Sequence, residues 1–139
     1  MREIKFRGKR IDKDEWVYGD LIHGVNHKSG KMYILPIRGG VMALGHGLDP
    51  IDGYEVIPET VGQYVGLMDL MTKDGYEGDI IERDASDGKG KVKGVIVFEE
   101  GQFRVAWFDK NKGWNNSLYI HLQDSKIIGK TYENPELLK

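Results

Sequence analysis

Glycine interrupts this sequence often, and no long amphipathic helix can be read anywhere in it. Nineteen of the 139 residues are glycine, about twice the usual share of roughly 7%, and they follow no collagen-like period. Glycines in that number serve turns and bulges, and many turns in a short chain mean many short strands. The apolar pattern agrees. Ile4 and Phe6 alternate with Lys5 and Arg7, the period-2 signature of a strand with one wet face. EWVYGDLIH follows as a second strand, with Trp16, Tyr18, Leu21 and Ile22 as its apolar residues and a shift of phase at Gly19 that predicts a bulge. NHKSGK, residues 26–31, reads as a hairpin loop, and KMYILPI as a third strand. Pro36 cannot donate a ladder hydrogen bond, so that end lies at an edge or leaves the sheet.

Residues 38–53 hold five glycines and a proline and read as a long irregular loop, of the kind that is often functional or mobile. YEVIPETVGQYVGL reads as two extended pieces separated by Pro58 and Glu59. LMDLMTKDG is a loop or a single helical turn, with Asp74-Gly75 as a hairpin signal. DIIERD is a strand, DASDGKGK a turn, and KGVIVFEEGQFRVAWF a hairpin around Glu100-Gly101. DKNKGWNN is a further turn, and LYIHL and KIIGKTY are extended candidates. Asn134-Pro135 predicts an N-cap and first residue of a short terminal helix. The expected architecture is mainly β: short antiparallel strands in a barrel-like arrangement with a short C-terminal helix. Residues 1–139 form a single domain, or two β lobes meeting near residues 66–75.

Composition narrows the functions. A formal net charge of −2 supplies no global field for nucleic acid or an acidic membrane, so binding either needs a local basic patch. Without cysteine there is no disulfide framework and no thiol catalysis. No apolar run approaches the ~20 residues of a spanning helix, and MREIKFRGKR lacks a signal-peptide core. A soluble, cytoplasmic protein without membrane contact is expected.

Two stretches, VYGDLI and YEGDII, repeat a Gly-Asp pair beside an aromatic residue. Glycine there can take φ > 0, aspartate can bond nearby backbone amides, and the β-branched residues that follow start a strand. A catalytic pair of Asp20 and Asp79 would require the two carboxylates to meet in a cleft. His23 and His27 are four apart, but Gly24 between them argues against the helix a His-x-x-x-His metal site needs. His46 and His121 are isolated. GKGKVKG, residues 88–94, matches neither a dinucleotide fingerprint nor a phosphate loop, and no Gly-x-Ser-x-Gly elbow is present. No catalytic, metal or cofactor residue is therefore assigned.

FRGKR and EWVYGDLI near the start, IPETVGQYVGL and YEGDII in the middle, and IIGKTYENPELL at the end stand in one order, and together they resemble the YopX family, proteins typically encoded by bacterial phages and prophages. The matching positions are Arg7, Trp16, Gly19, Asp20, Pro58, Thr60, Gly62, Gln63, Tyr64, Gly66, Gly78 and Asp79. Two turns depart from the family pattern. Val65-Gly66-Leu67 followed by MDLMTKDG stands where a Thr-Gly-Leu and a Lys-Asp-Lys-Asn-Gly-type turn are usual, and Gly129-Lys130 stands where Gly-Asn is usual. The resemblance implies a mostly β fold and a phage setting. The family carries no established activity, so no catalytic residue is carried over.

The expected role is that of a non-enzymatic phage or prophage accessory protein. Its partner is an unidentified host or phage protein, or a second copy of itself. WNNSLY, with Trp114 and Tyr119, offers the aromatic and asparagine mix of an interface, against the favoured alternative that Trp114 is a core residue closing the barrel end. The alternative is a module for single-stranded nucleic acid. Lys5, Arg7 and Lys9 share a strand face, and Lys89, Lys91 and Lys93 alternate likewise, with a tryptophan for stacking; lysines on edge strands also block aggregation without binding anything. Carboxylate catalysis is a second alternative.

Overall fold

The computed structural model of the chain describes residues 2–24, 30–36, 53–108 and 118–139, with 119 and 120 described for their backbone only. Trp114, the side chain of Tyr119, His27, His46 and nearly all of the 38–53 loop lie outside the described residues. The chain divides into two compact units, Glu3–Gln63 and Tyr64–Lys139. The junction thus falls just before the 66–75 stretch named for the two-lobe alternative. No described helix is long and apolar enough to cross a membrane.

The first unit contains β1 (Phe6–Lys9), β2 (Trp16–His23), β3 (Met32–Pro36), β4 (Tyr54–Val56) and the start of β5 (Gly62–Met68), hydrogen-bonded antiparallel in the order β4-β3-β2-β1-β5. A 3₁₀ turn, Pro58–Thr60, separates β4 from β5. Its Thr60 hydroxyl accepts the Lys9 N–H at 2.8 Å, so the turn is tied to β1.

Strand β2 corrects the expected phase. Its registers with β1 and β3 run through Gly19 without a bulge. Alternation is unbroken: Val17 and Leu21 join Phe6, Met32, Ile34, Tyr54, Val56 and Val61 in one core, and Gly19 takes the position between them. Glycine is required there because a Cβ would fall 1.9 Å from the Leu35 carbonyl oxygen. Trp16 and Tyr18 therefore face the other side, together with Arg7, which is paired with Tyr18. That face of β1 is not wet as expected. Arg7 is buried, its guanidinium 5.2 Å from the Trp16 ring centroid.

The barrel is not closed. One isolated bridge, Arg10 to Val56, connects the end of β1 to β4, flanked by Ile57 N–H to Lys9 O at 2.8 Å and Ile11 N–H to Glu55 O at 3.2 Å. That bridge is a single pair and not a ladder, so the sheet stays open. Arg10 also stacks on Tyr54 at 4.2 Å and grips Asp12 through two bonds of 2.8 and 2.7 Å. That grip holds the Asp12 carboxyl below its ordinary range.

In the second unit β5 continues and pairs with β6 (Asp74–Tyr76). A four-stranded antiparallel sheet is ordered β10-β7-β8-β9, from β7 (Asp79–Asp84), β8 (Lys91–Glu99), β9 (Gln102–Trp107) and β10 (Lys126–Lys130). Ile81, Val92, Ile96, Val105, Trp107 and Ile127 supply its core, closed by Leu118 and Leu122, with Val65, Leu67 and Phe103 packed at the margin. LYIHL is a helix, α1 (Leu118–Leu122), and not the strand expected. Five residues are too few for periodicity to distinguish the two; what decides is that Leu118 and Leu122, four apart, both reach the core. Asp74-Gly75 is likewise no turn but part of β6. Gly75 sits where a Cβ would come 2.7 Å from Leu122 Cδ2. The terminal PELL is a 3₁₀ turn, Pro135–Leu138, and not an α-helix: Leu137 N–H bonds the Asn134 carbonyl three residues back. The Asn134 side chain accepts the Lys130 N–H at 3.1 Å and caps no helix.

Candidate functional site

The loop between β5 and β6 joins two features that seldom coincide: a tightly bonded backbone and a run of exposed large apolar side chains. Its centre is Asp69, a buried carboxylate. Oδ1 accepts the N–H groups of Met71 at 2.9 Å and Lys73 at 2.8 Å, and Oδ2 accepts that of Ile127, at the start of β10, at 2.9 Å. The backbone adds Asp69 N–H to Lys73 O at 2.9 Å, Thr72 N–H to Asp69 O at 3.0 Å, and Leu70 N–H to Ser125 O at 2.9 Å. Bonds to an ionised acceptor are about twice as strong as neutral ones. This closure forces Thr72 to φ +62°, a strained setting for a β-branched residue, of a sort that persists only where the surroundings over-determine it.

What this backbone presents is Met68 at 48% exposure, Leu70 at 62% and Met71 at 63%. Neighbouring exposed apolar side chains mark contact surfaces more often than isolated ones do. Thioethers add adaptability, since methionine fits irregular partners and makes favourable contacts with aromatic rings. Lys73 and Lys126 flank the loop, both exposed, and neither is in an ion pair among the described residues.

A second cluster lies inside the same unit. Arg83 Nη1 is 2.8 Å from Nδ1 of buried His121. A guanidinium only donates, so Nδ1 accepts and the imidazole is neutral, with its proton on Nε2. The ring stands edge-on to Trp107, centroids 5.4 Å apart, and Ser125 Oγ bonds the His121 carbonyl at 2.5 Å. These contacts anchor α1 to the sheet. His121 is thus a core histidine rather than a loop one. His23 ends β2 exposed. Among the described residues no group of three or more His, Cys, Asp or Glu could hold a metal ion.

The residues singled out for chemistry are divided between the two units. Asp20 is exposed in β2 of the first unit. Asp79 is buried in the second, where its Oδ2 accepts the Tyr76 N–H at 2.8 Å across a turn that Gly78 completes at φ +91°. The amide bonded here precedes the aspartate in the chain. Among the basic residues, Lys5 is paired with Glu3 at 3.3 Å and Lys9 with Asp14 at 2.6 Å, their side chains only 17% and 16% exposed. Lys91 lies 3.9 Å from Glu82 and 3.8 Å from Asp84. Lys89 sits in an exposed turn held by its N–H to Asp87 Oδ1 at 2.8 Å, and Lys93 is half-buried opposite Glu82. Sequence reasoning missed Asp69 altogether. The available signal was the apolar, acid-centred string Met68–Met71 ahead of Thr-Lys-Asp-Gly.

A family model described as YopX protein matches residues 5–139. No curated relative matches the chain. Among solved structures, the crystal structure of protein EF1440 from Enterococcus faecalis is similar over 100% of both chains, with 19% identity and a TM-score of 0.55. The crystal structure of protein yopX from Bacillus subtilis is similar over 100% of this chain and 98% of its own, with 18% identity and a TM-score of 0.53. At these identities the likeness is one of fold.

Proposed function

This chain belongs to the YopX family, and from that premise we propose that it is a non-enzymatic accessory protein, of phage or prophage setting, that works by binding protein through the β5–β6 loop. The observation that carries the reading is the combination at Met68, Leu70 and Met71: exposed apolar side chains on a backbone already held by Asp69. A preformed loop loses little conformational entropy on association, which is where rigid binding elements gain affinity. The nucleic-acid reading has less support. Lys5 and Lys9 are mostly covered and paired, Arg7 is buried, and Lys91 sits among carboxylates.

The test is a pull-down with tagged wild type and a Leu70→Asp/Met71→Asp variant, each with and without nuclease. Wild type should retain a nuclease-resistant protein at near-equal stoichiometry. The variant should lose it while keeping its thermal midpoint, because both side chains are already in water. Equal recovery by both proteins would remove the loop from the function. Recovery that vanishes with nuclease and added salt would favour nucleic acid, through counterion release.

A further inference from the structure

The chain has no cysteine and five methionines, so no thiol takes up an oxidant ahead of its thioethers. Among the described residues those thioethers stand in two settings. Met32 packs against the core of the first unit. Met68, at the end of β5, and Met71, in the loop that follows, are exposed, and neither belongs to a core cluster.

The setting decides both access and cost. A peroxide in water reaches an exposed sulfur and is kept from a covered one. The sulfur lone pair attacks one peroxide oxygen and the O–O bond breaks. The departing hydroxide takes the proton of the attacked oxygen and leaves as water. Sulfur is oxidised by two electrons and the peroxide is reduced. The product is a sulfoxide, a polar group that disrupts methionine-rich contact surfaces. In a core its oxygen would be a new acceptor without water. At Met68 and Met71 it stays solvated. The loop backbone does not depend on either sulfur, because the Asp69 carboxylate holds the N–H groups of Met71, Lys73 and Ile127. Oxidation there changes what the loop presents and leaves its shape in place.

We propose that Met68 and Met71 are a reversible oxidation site, at which hydrogen peroxide turns both thioethers into sulfoxides and strips the β5–β6 loop of its apolar contact surface while the chain stays folded. As a control on binding this rests on the loop reading above. Reversal takes a methionine sulfoxide reductase for each sulfoxide epimer and a dithiol, which is oxidised to its disulfide as the oxygen leaves as water.

The experiment treats the full chain with hydrogen peroxide and locates each added oxygen by peptide mass. Circular dichroism gives the thermal midpoint, and a phenyl resin serves as the apolar probe. Met68 and Met71 should each gain one oxygen before Met32 gains any, with the midpoint unchanged. Retention on the resin should fall, then return after treatment with both reductases and dithiothreitol. Met68→Leu/Met71→Leu should keep its retention through the same treatment, which separates these two sulfurs from Met1 and Met42. Oxidation of Met32 as early as Met68 and Met71, a midpoint that falls with the first two oxygens, or equal loss of retention by the leucine variant overturns the proposal. In the pull-down, peroxide should release the partner from wild type and not from the leucine variant; an oxidised wild type that captures as before also overturns it. An untreated wild type that captures nothing would remove the binding function alone, since early oxidation with lost retention and an unchanged midpoint would still establish the site.

Discussion

A carboxylate that accepts three backbone N–H groups while shielded from water cannot be shortened without orphaning its donors. Asp69→Ala should cost about 2–4 kcal/mol, since the buried Ile127 N–H loses its acceptor and the loop amides lose theirs, at about 1–3 kcal/mol per buried group. Asp69→Asn keeps one carbonyl acceptor and should lose less. Urea unfolding checks both, and an Asp69→Ala midpoint equal to wild type would mean the loop holds itself without the carboxylate. Asp69 was not legible in the sequence because its decisive partner, Ile127, stands 58 positions away. Asp79 was legible as a turn residue, but not which amide it bonds. Arg7 was read as solvated from its place in a charged alternation, and its burial beside Trp16 is a contact between strands.

The β8–β9 hairpin was the element read most directly. Glu99 pairs with Gln102, leaving Glu100 and Gly101 as a two-residue loop at φ +53° and +76°. Positive φ at both positions is the type I′ turn, whose twist matches that of the strands and whose preferred first residue is asparagine. Glu100→Asn should therefore raise stability by about 0.5–1 kcal/mol, because asparagine tolerates the left-handed region better than glutamate, and the exposed pair with Arg104 that it gives up is worth little. A lower melting temperature in this variant would show that the Arg104 contact outweighs backbone preference. Other elements were misread for one shared reason. LYIHL and Asp74-Gly75 carry short local signals, and what overrode both was packing around Leu122, which α1 buries and against which Gly75 fits.

At the scale of the whole molecule, each unit has its own core cluster, and among the described residues no side chain belongs to both. Ile34 and Ile96, each fully buried, should each cost about 2–5 kcal/mol on truncation to alanine. Residues without shared partners combine additively to within about 0.5 kcal/mol. The double variant should therefore lose the sum of the two, as read by denaturant unfolding at matched slope. A deviation well beyond that would mean that damage to one core is felt by the other.

The sequence by itself determined the mainly β class, the positions of most strands and hairpin turns, and the family. Each of those follows from neighbouring residues: alternation sets a strand's faces, and glycine or proline sets where the chain can bend. Only the tertiary structure decided that the sheets stay open, that LYIHL coils, that Arg7, Asp69 and His121 are buried, and that Met68, Leu70 and Met71 are left outside. Burial and hydrogen-bond choice are settled between segments tens of residues apart, where the energy of a shared core or an orphaned amide exceeds any local preference.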